Sequence, residues 1–347
     1  MKNKKENKKI PVGILGATGM VGQKFISLLK DHPWFEVKVV AASRKSAGKK
    51  LGSLTIYSVE DDIDVISKKC RFVFSAIDAE KDLIKKIEEA YAEKGVPVVS
   101  NNSAHRWTSD VPMIIPEING EHLDMILTQQ KNRGWAEGFI VVKPNCSLQS
   151  YVPLLHAWKD FQPKQVIVST YQAVSGAGKT LETWPEMADN VIPFIGGEEE
   201  KSEKEPAKIL GKIKNGKFIL ENKIKISANC IRVPVSDGHM AAINIKFGKK
   251  VSKEKLIEAL KDFKNPLAGL GLPSAPEPSL TYFEEENRPQ TKLDRDLGNG
   301  MGISVGRLRE DAVLGWKCVA LSHNTIRGAA GGAILTAELL VKKGYIK

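Results

Sequence analysis

Ile10-Pro11-Val12-Gly13-Ile14-Leu15-Gly16-Ala17-Thr18-Gly19-Met20-Val21-Gly22 is the stretch whose reading decides the fold. A short apolar run with β-branched residues leads straight into a G-x-x-G-x-x-G loop, and helical periodicity starts where the loop ends. Glycines at such a junction let the backbone turn tightly and come close to a pyrophosphate, whose charge is met by the free N–H groups at the helix N-terminus. Tight turns use glycine for steric reasons alone. Here the strand before, the helix after and a second strand at the right distance favour a dinucleotide loop, with Gly16, Thr18, Gly19, Met20, Val21 and Gly22 as cofactor-binding candidates.

Outward from this loop, short apolar runs alternate with amphipathic segments. The expected strands are Ile10 to Leu15, Glu36 to Ala42, Phe72 to Ala76, Val96 to Asn101, Met113 to Ile115 and Phe139 to Val142, and the expected helices Val21 to Asp31, Lys81 to Lys94 and Glu121 to Arg133. That alternation predicts an α/β, Rossmann-type doubly wound parallel sheet. From Gln165 the runs lengthen and alternate (Val166 to Val174, Lys223 to Arg232, Met240 to Phe247), which predicts a second, α+β domain with a largely antiparallel sheet. Pro266 to Pro289 reads as an irregular connection, and Ala312 to Leu321 as a return to strand. Asn324 to Lys342 reads as one helix capped by Asn324. The domain expectation is therefore 1–145 for dinucleotide binding, completed by 324–347, and 146–323 for the second domain.

After the second strand comes Ser43-Arg44-Lys45-Ser46, where an NAD enzyme would place an acidic residue for the ribose 2′-hydroxyl. Arginine between hydroxyls suits a 2′-phosphate, so Ser43, Arg44 and Ser46 point to NADP(H).

The chain has 347 residues, a net charge of +11 and four cysteines. Its longest apolar runs fall far short of the roughly 20 residues that span a bilayer, and Met1 to Lys9 reads as a solvated lysine-rich tail of a cytoplasmic protein rather than a signal peptide. The cysteines are widely spaced, which suggests neither disulfide framework nor zinc site, and no metal is expected. Lysines are scattered rather than striped, so neither nucleic acid nor membrane is an expected partner.

Cys146 lies in Lys143-Pro144-Asn145-Cys146-Ser147, between a buried-type strand and the helical pattern Leu148 to Asp160. A helix N-terminus favours the thiolate, which makes Cys146 the candidate nucleophile, while Cys70, Cys230 and Cys318 read as small buried hydrophobes. His239 follows Ser236-Asp237-Gly238, a turn between two strands that also carry Arg232, and a hairpin there would bring a proton-transfer histidine and an anion-binding arginine to one mouth. A histidine beside a turn is also commonly only a surface residue.

GILGATGMVG (Gly13 to Gly22), Pro144 to Ser147, YQAVSGAG (Tyr171 to Gly178), GEEEKSEKEPAK (Gly197 to Lys208) and IRVPVSDGHM (Ile231 to Met240) together resemble the aspartate-semialdehyde dehydrogenase family. Ser100 to Ser103 and Asn324 to Gly332 resemble its archaeal and fungal branch. The resemblance implies Cys146 as nucleophile, His239 as general acid/base and Gln172 as the residue orienting the substrate. It implies Arg232 for the substrate carboxylate, Glu198 for its amino group, and Lys201, Asn145 and Arg106 on the phosphate side. Ser75, Ser175, Gly176 and Asn324 join the cofactor-binding set by the same likeness.

The implied substrates are β-aspartyl phosphate, aspartate semialdehyde and phosphate, in lysine, threonine, methionine and isoleucine biosynthesis. The implied assembly is a homodimer or homotetramer, with a second domain that serves both catalysis and dimerisation. Taken without the likeness, Glu198 to Lys208 reads as a solvated charged helix. The alternatives are a malonyl- or succinyl-CoA reductase of the same family, N-acetyl-γ-glutamyl-phosphate reductase, whose motifs fit less well, and a catalytically inactive NADP-binding sensor.

Overall fold

The computed structural model describes residues 8–347, so most of the lysine-rich tail, Met1 to Asn7, lies outside the described residues. Two compact units are present: residues up to Met113 with Leu123–Lys143 and Ala333–Lys347, and Ile114–His122 with Pro144–Gly332. Among the described residues no helix is long and apolar enough to cross a membrane.

The first unit holds strands β1 (Ile10–Leu15), β2 (Phe35–Ala42), β3 (Lys50–Leu51), β4 (Leu54–Ser58), β5 (Phe72–Ser75), β6 (Val98–Ser100) and β7 (Ile140–Val142), in the sheet order β3-β4-β2-β1-β5-β6-β7. All neighbours pair in parallel except β3 with β4. Strands β5, β6 and β7 are buried at every residue, as a parallel sheet covered on both faces requires. Helix Met20–Leu29 lays Phe25 on the sheet, its ring stacked 4.6 Å from Phe74, and helix Lys81–Glu93 buries Ile84, Ile87, Glu88 and Tyr91 at helical spacing. The chain builds outward from β1 through β2 to β4 on one side and then crosses to β5 on the other, so the C-terminal ends of β1 and β5 form the switch point at which open α/β sheets bind ligands.

Three expectations for this unit change. Met113 to Ile115 is no strand: Met113 alone bridges Val142, because Pro112 has no N–H for a ladder and Pro116 opens the short helix Pro116–Asn119. The hairpin of β3 and β4 and the turn of helix at Ile63–Ser67 were not expected from the sequence. Glu121 to Arg133 is divided, its first residues belonging to a 3-10 turn Gly120–Asp124.

The second unit holds β8 (Pro163–Gln172), β9 (Lys212–Lys214), β10 (Lys217–Ile219), β11 (Lys225–Arg232), β12 (His239–Phe247), β13 (Leu280–Phe283), β14 (Ile303–Asp311) and β15 (Gly315–Ser322). Its main sheet runs β11-β8-β12-β15-β14-β13 and is mixed rather than largely antiparallel. β11 pairs with β8, and β13 with β14, in parallel. The crossover that makes the first pair parallel is the helix Glu198–Ile209, and such a connection needs a helix's length of chain. Pro266 to Pro289 is not wholly irregular, since it contains β13.

Two helices expected to be continuous are broken. Leu148 to Asp160 is a 3-10 turn Cys146–Ser150, a helix Val152–Ala157 and a second 3-10 turn Lys159–Phe161, because Pro153 cannot donate to a preceding turn and so restarts the helix near its N-terminus. Asn324 to Lys342 opens with a π-turn Ile326–Ala330 before the α-helix Gly331–Lys342, and Asn324 is not its cap.

Candidate active site

In the first unit the loop at the end of β1 has a shape dictated by its glycines. Gly16 sits at φ +85°, and a Cβ there would meet Ala76 O at 2.1 Å; a Cβ on Gly22 would meet Gly16 O at 2.2 Å. Gly19 is different, for a Cβ there would find only Gly16 O, at 3.5 Å. It is the N-cap of helix Met20–Leu29, with no side chain bonded to the first-turn N–H groups. A loop tight on its protein side and clear at the helix N-terminus fits a dinucleotide pyrophosphate. Thr18 is exposed on this rim, with Met20 and Val21 partly covered.

At the end of β2, Ser43 and Arg44 are exposed and Ser46 is half-buried in a turn whose Ser46 N–H donates to Ser43 O. Arg44 donates Nε to Asp61 Oδ2 and Nη2 to Asp61 Oδ1, each at 2.8 Å. Ser75, at the end of β5, is buried, and its Oγ accepts from Asn102 Nδ2 at 3.0 Å. Arg106 is buried and donates to Lys143 O at 3.0 Å and Asn101 O at 3.3 Å. Its guanidinium is thus moored on two backbone carbonyls.

The second unit gathers the remaining candidates, though not by a hairpin. β11 and β12 do not pair; β8 lies between them, with Arg232 opposite Gln172 and Met240 opposite Tyr171. Arg232 at the end of β11, Gln172 at the end of β8 and His239 at the start of β12 therefore stand side by side on the buried face of three adjacent strands. Arg232 donates Nη1 to Ala173 O at 2.6 Å. Burial pulls its pKa down, against which the Cys146 thiolate and the Glu198 carboxylate act to raise it. Gln172 donates to Thr170 Oγ1 at 3.1 Å.

His239 is fully buried and accepts at Nδ1 from Ala173 N–H, 3.1 Å away, so its neutral ring carries the proton on Nε2, an atom with no partner among the described residues. Burial first, then the Arg232 charge, pushes its pKa down to about 3. Gly176 is what leaves Nε2 open. A Cβ at that position would lie 2.8 Å from Arg232 Nη1 and 3.0 Å from His239 Nε2.

The depressed histidine has a consequence for stability. An unfolded imidazole titrates near 6.5 and the folded one near 3, so between these values the unfolded chain binds more protons. This contribution is fully present above about pH 6.5 and is lost as pH falls towards 3, at up to about 1.4 kcal/mol per pH unit. His105, His122 and His156 are shifted the same way by burial, so the comparison needed is the wild type against His239→Asn. Urea unfolding at several pH values should show a shallower acid slope in the variant; identical slopes would sink the account.

Cys146 opens the 3-10 turn, and among the four thiols only it is not buried. The electrostatic support expected from a long helix is reduced to one short turn, and the thiolate also interacts with the Arg232 charge. Burial raises Cys70 and Cys318 to about 12 and raises Cys230 as well, which makes them inert. Asn145 fixes the turn: its Oδ1 accepts from Ser147 N–H at 2.8 Å, its Nδ2 donates to both Glu198 oxygens at 2.9 Å, and its own N–H donates to Glu205 Oε2 at 2.8 Å. Lys201 donates to Glu198 Oε1 at 2.7 Å. Burial pushes Glu198 upward, but Lys201 and Asn145 outweigh it and leave the carboxyl below its ordinary value.

The charged helix is therefore far from a solvated one. Glu198, Ser202 and Glu205 form its buried stripe, and Tyr151 OH donates to Ser202 O at 2.7 Å. Glu203 and Glu199 accept from Ala228 N–H and Cys230 N–H of the edge strand β11, at 3.1 and 3.2 Å. Sequence reading missed Glu205; the 198, 202, 205 spacing was its signal, but a polar stripe leaves no hydrophobic periodicity. Asn324 accepts from Gly238 N–H and donates to Ser175 Oγ, both at 2.8 Å, tying the loop of Ser175 to the turn before His239.

Gly328, in the π-turn, was also missed. A Cβ there would fall 2.8 Å from Cys146 Cβ and 3.3 Å from its Cα. Gly328→Ala should displace the thiol and lower kcat by roughly tenfold to a hundredfold, with a melting point lowered by the crowding. Unchanged kcat would show that Cys146 tolerates the displacement.

A Rossmann-type unit with a pyrophosphate loop, and a second unit carrying a mixed sheet and a partly exposed thiol, define a nicotinamide-dinucleotide oxidoreductase. Residues 11–126 match the family model "Semialdehyde dehydrogenase, NAD binding domain" and residues 153–327 the model "Semialdehyde dehydrogenase, dimerisation domain". The aspartate-semialdehyde dehydrogenase of Archaeoglobus fulgidus is 46% identical, covering 96% of this chain and 99% of that one. That of Saccharomyces cerevisiae is 42% identical over 96% and 98%. The crystal structure of aspartate semialdehyde dehydrogenase with NADP from Candida albicans superposes with a TM-score of 0.86 at 36% identity, over 98% of this chain and 100% of that one. The chain belongs to the aspartate-semialdehyde dehydrogenase family.

Proposed function

We propose that this chain is an NADP-dependent aspartate-semialdehyde dehydrogenase that reduces β-aspartyl phosphate to aspartate semialdehyde and phosphate through a thioester on Cys146, a step of amino-acid biosynthesis. The observation that carries the reading is the row of Arg232, Gln172 and His239 on adjacent strands, in the same unit as a partly exposed thiol whose turn is locked by Asn145. The Cys146 thiolate attacks the acyl carbon, the bond to phosphate breaks, and phosphate leaves. Lys201 and Asn145 in the second unit, and Arg106 in the first, serve the phosphate.

NADPH, held by the Gly16 to Gly22 loop, Arg44 with Ser43 and Ser46, and Ser75, with Ser175, Gly176 and Asn324 in the second unit, supplies the hydride that reduces the thioester. The thiohemiacetal alkoxide then collapses, breaking the carbon–sulfur bond and returning the thiolate. His239 holds its proton at Nε2, where it donates a hydrogen bond to the developing charge and exchanges a proton with the reacting group. A substrate carboxylate on Arg232 offsets the positive charge that helps depress His239, which moves the imidazole back towards its ordinary range. Gln172 orients the acyl group, and Glu198 receives the substrate's amino group.

Glu198 also separates this reading from a CoA-ester reductase, because malonyl- and succinyl-CoA present a carboxylate for Arg232 but no amino group for Glu198. Phosphate-dependent oxidation of aspartate semialdehyde, followed as NADPH formation, is the direct test. Faster NADPH turnover with malonyl-CoA than with β-aspartyl phosphate would overturn the assignment. The match to a dimerisation-domain model supports a homo-oligomer, for which we propose a homodimer or homotetramer using the exposed apolar residues Ile167, Tyr171, Val191 and Phe194. Light scattering checks the stoichiometry.

A further inference from the structure

Arg44 already has its side-on edge engaged as the protein stands. The Nε and Nη2 groups that form the two-pronged edge of the guanidinium are both engaged by Asp61, and Glu60 Oε2 lies 3.4 Å from Nη2. This side-on edge is one of the two that an arginine can offer a phosphate for bidentate contact. Asp61 is the better anchored of the two partners. Its Oδ2 accepts from Ser58 Oγ at 2.8 Å while its own N–H donates back to Ser58 Oγ at 3.1 Å. Ser58 ends β4, directly opposite Ala42 at the end of β2. The carboxylate therefore rises beside the Arg44 loop on the same edge of the sheet, held by a turn, whereas Arg44 is a long and largely exposed side chain.

We infer that Asp61 sets the balance between NADP and NAD in this chain, by competing with the 2′-phosphate for Arg44 and offering an acceptor to the 2′-hydroxyl of NAD. The inference rests on the reading of Arg44 as the 2′-phosphate residue and deepens it. In NAD enzymes of this fold the acidic residue comes from the end of β2; here the turn after β2 supplies the arginine, and the turn after the neighbouring strand β4 supplies the acid. A fixed carboxylate repels a phosphate dianion but accepts from a hydroxyl, so one loop pair serves both cofactors, with discrimination smaller than Arg44 alone would give. Asp61 carries its charge throughout the working pH range, since the hydrogen bond from Arg44, followed by that from Ser58, holds its pKa down to about 2.

The test is calorimetric titration of the full-length wild type, Asp61→Asn and Arg44→Ala with NADP⁺ and with NAD⁺, without substrate. Removing the carboxylate charge should raise the ratio of the NAD⁺ to the NADP⁺ dissociation constant by about fivefold or more. A ratio unchanged to within about twofold overturns the inference. Arg44→Ala should lose most of the preference for NADP⁺. If that variant binds NADP⁺ as the wild type does, the 2′-phosphate placement itself fails, and the inference with it, whereas weakened NADP⁺ binding in Arg44→Ala with an unchanged ratio in Asp61→Asn overturns the role of Asp61 alone. Asp61 is half-exposed and in no core, so matching melting curves will establish that the variants are folded.

Discussion

Cys146→Ala protein is expected to turn over neither β-aspartyl phosphate nor aspartate semialdehyde, with a loss on the order of 10⁴-fold or more, and still to bind NADPH. Cys146 is the one of the four cysteines that is not buried, so it is the thiol placed to hold the acyl fragment covalently, and its removal takes away both halves of the reaction at once. Alanine keeps the Cβ that packs on Gly328, so the Cys146–Ser150 turn and its Asn145 cap should persist. The cofactor loop at Gly16 to Gly22 belongs to the other unit and is untouched. Two measurements decide the matter: steady-state turnover, and mass spectrometry of the wild type quenched during reaction, which should show the acyl adduct on the peptide carrying Cys146. Full activity in the alanine variant would sink the covalent mechanism.

His239→Asn is the second large effect. Proton transfer by a positioned imidazole contributes roughly 10²- to 10⁴-fold, and kcat should fall by that order. The asparagine oxygen can still accept from Ala173 N–H, but its amide cannot exchange a proton in the working pH range. Cofactor affinity should change far less than kcat. A variant whose kcat and pH–rate profile match the wild type would remove His239 from the chemistry and leave it as a buried structural ring.

How much of this was legible in the sequence depends on how local the cause is. The Gly16 to Gly22 loop and the strands β1, β2, β5, β6 and β7 were readable because each depends on a few consecutive residues: backbone clashes at Gly16, two covered faces at β5 to β7. The interruptions at Pro153 and between Pro112 and Pro116 were equally local, yet hydrophobic periodicity runs through them and hid the loss of donors. Mixed strand direction in the second sheet left no local trace. The same alternating pattern serves a strand whichever way its neighbour runs, so only the crossover at Glu198–Ile209 reveals it.

The sequence by itself determined which residue types this protein has for its chemistry: a thiol after Pro-Asn, a histidine after a glycine turn, a glycine loop after the first strand. Only the tertiary structure decided that Arg232, Gln172 and His239 are neighbours, because β8 is inserted between the two strands that sequence would pair as a hairpin. It also decided that Glu198, Ser202 and Glu205 face inward while Glu199 and Glu203 close the edge of β11, and that Arg44 meets Asp61 from the next strand. The physical reason is shared by all three. A charged or polar side chain takes its role from the donor, acceptor or charge brought against it from a distant part of the chain, whereas a turn or a buried strand already holds its cause within its own few residues.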